Sequence, residues 1–180
     1  MSAHEFTLPP AGERITVFEK DDLVITALAV DHAPVRPAVA YRFDYKNRSV
    51  LVSGDTKKST NLEEMAMGVD ILVHEALAPN LVGLMNRAAK KNGNAILEKI
   101  TNDIIDYHTS PAEVAEIAEA AQVGHLLYYH VVPPLIVPGM EVAFLDGVEE
   151  AYGGSYTVGV DGSIISLPAN SDAIETGIVK

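Results

Sequence analysis

Three side chains able to hold a metal ion stand just past apolar runs. His32 follows the run 23–30, Asp55 follows 49–53 through Gly54, and His130 closes 124–130. Two imidazoles and one carboxylate are a donor set that zinc accepts. An open catalytic zinc takes three protein ligands and a two-metal site takes more, so these residues amount to part of a site. Singly, each has a plain structural reading: Asp55 as a turn or helix-cap residue, His32 and His130 as packed or hydrogen-bonded histidines. Their recurrence at one kind of position, the exit from a buried strand, is what points to ligation. A second group could move protons. His74-Glu75 follows another apolar run, and His108-Thr109-Ser110 precedes a helix start. A carboxylate such as Glu75 can orient and polarise an imidazole such as His108, which then donates to a leaving oxygen. In the alternative reading Glu75 accepts local backbone amides and His108 packs beside the helix. Tyr41, Arg42, Tyr128 and Tyr129 read as core or cleft-wall residues, with Arg42 able to face a phosphate. His4 and His125 carry no pattern.

Bulk composition narrows the classes. The chain has 180 residues, 13 Lys plus Arg against 25 Asp plus Glu, and a net charge of -12. That balance disfavours broad capture of a phosphate backbone, so extensive nucleic-acid binding is not expected. With no Cys, disulfides, thiolate ligands and cysteine nucleophiles are excluded, and a reducing, cytoplasmic setting fits. No apolar run approaches the roughly 20 residues of a membrane span, and the first residues lack a basic segment leading into an apolar signal core.

The elements that must position these side chains follow from periodicity. Segments 15–18 and 23–30 read as strands, and 38–45 with 49–53 as a hairpin turning at Lys46-Asn47-Arg48. Thr60 and Glu63 fit a capping box on a short helix that Gly68 closes. Segment 69–73 reads as a buried strand. From Leu81 to Ile105 the spacing is helical, broken near Gly93, and this region reads as structural decoration. Ser110-Pro111-Ala112-Glu113 is the strongest helix start: a capping serine, proline at the first helical position, and a glutamate able to reach back. Val114, Ile117, Ala118 and Ala121 share its inner face. The strand 124–130 follows. Segment 142–151 reads as a terminal helix, 156–160 and 164–167 as a hairpin around Asp161-Gly162, and the last residues from Asn170 as a fraying tail. Helix, loop and strand in alternation give an α/β layered fold, read as one partial domain over 1–180.

Ordered along the chain, Val30-Asp31-His32, Ala40-Tyr41-Arg42-Phe43, Ser53-Gly54-Asp55-Thr56, Leu72-Val73-His74-Glu75-Ala76, His108-Thr109-Ser110 and the strand reaching His130 resemble the later half of the metallo-β-lactamase-fold hydrolases, in their ribonuclease Z and arylsulfatase-like branch. The likeness is strongest over 23–135. It implies the C-terminal half of an αββα sandwich, a mixed β sheet with outer helices. It also implies that His32 and His130 each hold one zinc, that Asp55 bridges two, and that His108 stands near the scissile phosphate with Glu75 as its electrostatic partner. His74 is a weaker assignment.

The family's first-half His-x-His-x-Asp-His cluster occurs nowhere in these 180 residues. The expectation is therefore weak or partial zinc occupancy and little hydrolase activity from the chain alone, on a phosphate- or sulfate-ester substrate if the site is completed. A half sandwich would also expose a sheet face, inviting a homodimer or a complementary N-terminal half. A non-catalytic, structural or oligomerising remnant is the competing reading.

Overall fold

A computed structural model describes residues 5–179. Seven strands form one mixed sheet in chain order: β1 (Arg14–Lys20), β2 (Leu23–Ala29), β3 (Val39–Tyr45), β4 (Arg48–Val52), β5 (Ile71–Leu77), β6 (His125–Val132) and β7 (Ser155–Val158). The first four form an antiparallel meander, with tight polar turns at Asp21-Asp22 and Lys46-Asn47 and a longer loop, 30–38, between β2 and β3. From β4 to β7 the pairing is parallel, and each step needs a crossover. These crossovers are α1 (Thr60–Ala66); then α2 (Pro79–Lys91), α3 (Ala95–Asp103), a 3-10 turn (Ile104–Tyr107) and α4 (Pro111–Ala120); and finally α5 (Met140–Phe144) with α6 (Val148–Ala151). Strand direction has a consequence for the site. Two antiparallel steps make β2 run the same way as β4, so β2, β4, β5 and β6 all end at one rim.

The two faces of the sheet differ. Leu28, Ala40, Leu51, Leu72, Leu126 and Tyr128 alternate onto one face and are fully buried there beneath Leu62 and Met65 of α1 and Val114, Ile117 and Ala118 of α4. On the other face Ile25, Tyr41, Phe43, Val50, Val52, Val73 and Leu127 line up across neighbouring strands and are only half-buried. The period-2 pattern thus makes an apolar surface on both sides, of which the helices cover one.

Several expectations hold. The hairpin 38–45/49–53 forms, the helical stretch breaks at Gly93, and Ser110 caps α4 in a full capping box with Glu113. Others are corrected. The first residue before α1 is Ser59, not Thr60, and no side chain caps that helix. The strand expected over 69–73 runs from Ile71 to Leu77, so His74 and Glu75 lie inside it. The strand expected to end at His130 continues to Val132. The terminal helix is two short ones, interrupted at Gly147 in the left-handed region (φ 80°). The late hairpin does not form as read. Residues 155–158 join β6 in the main sheet, while β8 (Ser163–Ser166) pairs with β9 (Glu175–Ile178) from the segment expected to fray. Parallel pairing buries part of β7 against β6, which a local turn signal at Asp161-Gly162 does not report.

Candidate metal centre

His32 leaves β2 on a turn and is mostly buried, at 8% exposure. Its Nδ1 lies 2.8 Å from the Tyr107 carbonyl oxygen, which can only accept. Nδ1 therefore carries the hydrogen, and the Nε2 lone pair is free to meet a cation. The ring also packs edge-on against Tyr107 at 5.0 Å.

Asp55 is placed by the segment after β4. Gly54 has φ +62°, and a Cβ there would stand 2.6 Å from the Val39 carbonyl oxygen, so only glycine lets the chain pass so close to β3. The next two residues are tied to the His32 turn: Lys57 N–H donates to the Asp31 carbonyl at 2.8 Å, and the Thr56 hydroxyl lies 3.4 Å from the same oxygen. The Asp55 carboxylate, 38% exposed, consequently faces the His32 ring, with Oδ2 3.9 Å from Nε2.

His130 reaches the same carboxylate by a bulge. Against β5 the register runs Glu75 to Tyr129 and then Ala76 to Val131, which leaves His130 as the extra residue. Its φ is +44°, a left-handed conformation costly to a residue with a Cβ. The bulge turns its imidazole to the rim, where Nε2 lies 3.6 Å from Asp55 Oδ2.

Behind these three lies Glu75, with no exposed surface. Its Oε1 accepts the backbone N–H of Thr109 at 3.0 Å and that of Thr56 at 3.3 Å. Oε2 stands 3.2 Å from His108 Nδ1. One buried carboxylate thus binds the amide following Asp55 and the amide following His108, and still presents an oxygen to His108. A further tie runs from the Thr109 hydroxyl to the Thr56 carbonyl at 2.7 Å. Glu75 accepts the local amides and also faces His108, while Oε2 and His108 Nδ1 make no hydrogen bond among the described residues. The His108 ring lies 4.9 Å from that of His32 and 6.0 Å from that of His130, so all five residues share one rim.

Other candidates go elsewhere. His74 points into the helix-covered core, its Nδ1 2.7 Å from the Glu75 carbonyl, and burial lowers its pKa. His125 is held between the Ser155 and Thr157 hydroxyls, with its pKa also lowered by burial. Arg42 is engaged by Asp44 and the Met65 carbonyl, so it does not face this rim as a phosphate ligand. Tyr128 is core and donates to the Pro111 carbonyl at 2.9 Å; Tyr41 lies on the open face beside Phe43. Tyr129 is a wall residue, its phenol pushed up by burial and then by the charge of Asp55. His4 lies outside the described residues. Thr56, Tyr107 and Thr109 were not singled out from sequence. The only signal for the threonines was adjacency to Asp55 and His108, and for Tyr107 there was none, because its carbonyl does the work.

The donor chemistry fits zinc, since the His32 ring is held in the tautomer that frees Nε2 and both imidazoles converge on one carboxylate oxygen. The number of donors does not complete a site. Asp55 meets each imidazole as a pair, and among the described residues no group of three His, Cys, Asp or Glu closes into an arrangement that holds a metal ion.

No family model matches the chain. Among curated proteins, the ribonuclease Z of Mycobacterium tuberculosis H37Rv is 32% identical over 161 residues, covering 89% of this chain and 52% of that protein. The chain has the metallo-β-lactamase-superfamily fold and is related to the ribonuclease Z hydrolases. It spans about half the length of the curated relatives it matches. The metallo-β-lactamase-fold protein YhfI of Bacillus subtilis superposes with a TM-score of 0.54 at 19% identity, over 77% of this chain and 47% of that one. A structure from Parabacteroides distasonis gives 0.51 at 14% identity, over 82% and 54%. The metallo-β-lactamase-like α/β sheet with outer helices seen in these structures is the fold expected from the sequence.

Proposed function

We propose that the chain supplies one side of a zinc-dependent hydrolase centre acting on phosphate or sulfate esters, and that it is weak or inactive when isolated. The convergence of His32 and His130 on Asp55 carries this reading. In the mechanism, His32 and His130 would each contribute an Nε2 donor and Asp55 would share its carboxylate between them. Zinc, when bound, supplies an acidified water and an electrophile for the ester oxygens. His108 holds the proton for the leaving oxygen, and Glu75 orients it through Nδ1. The backbone latches on Thr56 and Thr109 keep the Asp55 and His108 segments in register without further ligands.

The half-buried sheet face supports a partner, either a second copy or a complementary first half bearing the missing ligands. The partial domain reading of 1–180 and a cytoplasmic setting accord with this and with the lack of Cys. Among the described residues no helix is long and apolar enough to cross a membrane. A second reading, a non-catalytic remnant of the fold, is favoured by the lack of a closed donor group among the described residues.

Turnover of bis(p-nitrophenyl) phosphate separates the two. The chain alone with zinc should stay near background. Mixing it with the first half of a ribonuclease Z relative should raise turnover, and His130→Ala in this chain should abolish the rise. Vigorous turnover by the chain alone contradicts the proposal, and failure of any such complement to raise it favours the remnant.

A further inference from the structure

His130 borders a cleft of about 580 Å³, a size suited to a small ligand group. The walls are apolar: Leu127 and Val131 of β6, Leu135 of the loop that follows, Val158 of β7 and Val160 just beyond it. Glu141 and Asp161 also border the cleft, and among the described residues neither Lys nor Arg does. A cleft lined this way offers an anion no counter-charge.

The loop after β6 carries the same chemistry outward. Leu135 and Met140 pack against the core and anchor it. Between them Ile136 is 84% exposed, and Val137, Val142 and Val160 are exposed as well. Aliphatic residues scattered singly over a surface need no explanation, but four on the segments that build one cleft do. Pro133, Pro134 and Pro138 hold φ fixed along this loop, so less backbone freedom is lost when a ligand settles against it.

We infer that the cleft beside His130 binds an uncharged aliphatic arm of the substrate, with Leu135 and Val160 as specificity residues. That the arm belongs to an ester rests on the hydrolase reading; that the cleft selects aliphatic over anionic groups does not. The substrate class is then narrowed to lipophilic esters, in keeping with a chain of net charge -12 that is poorly suited to a polyanion. Each methylene of the arm gains from leaving water, whereas a second phosphate or carboxylate placed there would face Glu141 and Asp161.

The probes are 1-butanol, 1-hexanol and hexanoate, titrated into the full chain without metal and followed by NMR of the Leu and Val methyls and the His130 ring. Hexanol should move the Leu127 and Val158 methyls together with the His130 ring. It should bind about tenfold more tightly than butanol, from two further buried methylenes, and about tenfold more tightly than hexanoate. Val160→Lys, at an exposed position, should weaken hexanol and bring hexanoate level with it or above. Val142→Ser, exposed but not bordering the cleft, should change neither. Shifts confined to Val50 and Val73 of the open sheet face, equal binding of butanol and hexanol, or discrimination against hexanoate that is absent or survives Val160→Lys, overturns the subsite. Because no metal is present, the result stands apart from the zinc reading: a parallel zinc titration that leaves His32 and His130 unmoved would defeat the hydrolase centre while the aliphatic cleft persists.

Discussion

Glu75 Oε2 lies 3.2 Å from His108 Nδ1, from a carboxylate with no solvent exposure whose other oxygen is shared by two backbone amides. A buried carboxylate held this way cannot be replaced by a small apolar group without stranding its partners. Glu75→Ala should destabilise the chain by about 3 kcal/mol, read from urea unfolding, because two buried amides lose their acceptor and a cavity opens beside the His108 ring. Glu75→Gln should cost less, since its carbonyl oxygen can still accept both amides. Its amide nitrogen, facing His108 Nδ1, would force that nitrogen to accept, and the tautomer change should appear in the ring ¹⁵N shifts. An unchanged tautomer together with wild-type stability would show that the carboxylate does not act on His108.

The bulge at His130 sets stability against placement. With φ at +44°, this residue holds a conformation that glycine adopts freely. His130→Gly should stabilise the fold by about 1 kcal/mol while removing the imidazole, a change visible as a higher thermal midpoint. His130→Ala removes the same ring without easing the backbone, so it should lack that gain. Equal midpoints for the two variants would mean the strained turn costs nothing.

Gly54 gives the opposite sign. Gly54→Ala places a Cβ 2.6 Å from the Val39 carbonyl oxygen in a positive-φ residue. The expected loss is about 2 kcal/mol or more, with the Asp55 segment displaced from β3. Full retention of stability would show that β3 can yield at Val39.

Stability should also fall on mild acidification. Burial lowers the folded-state pKa of His74, and likewise of His125, below the usual value of 6.5. The unfolded chain therefore takes up protons first. Stability is fully present above pH 6.5 and declines as pH falls from there toward the lowered folded values. Urea unfolding at pH 7.5 and 5.5 should show this decline, reduced in His74→Leu, with His125 retaining part of it. An identical slope in His74→Leu would remove His74 from the effect.

How much of this could be read from sequence depends on the range of the interaction. The α4 cap was legible because Ser110 and Glu113 are three residues apart and satisfy each other. The hairpin of β3 and β4 was legible for the same local reason. Ser59 taking the place expected of Thr60 is a one-residue shift that helix propensity does not resolve. The late hairpin misled because Asp161-Gly162 does make a turn, with Gly162 at φ +87°, while the choice of partner strand was decided by β6, about 30 residues earlier in the chain. At the site, the residue types and their strand-end positions were visible in the sequence. Their meeting was not, because it depends on β2, β4 and β6 sharing a direction and on a bulge that leaves no mark in composition. Glu75 acting as a latch was hidden too, since both its partners are backbone amides.

Whether His32, Asp55 and His130 act together as a partial zinc site is decided by zinc titration of the full chain followed by imidazole NMR. The His32 and His130 resonances should move together, with weak affinity, and Asp55→Asn should uncouple them. Two zinc ions held tightly by each chain, or zinc uptake that leaves both rings unperturbed, would rule out a partial site built on these three residues.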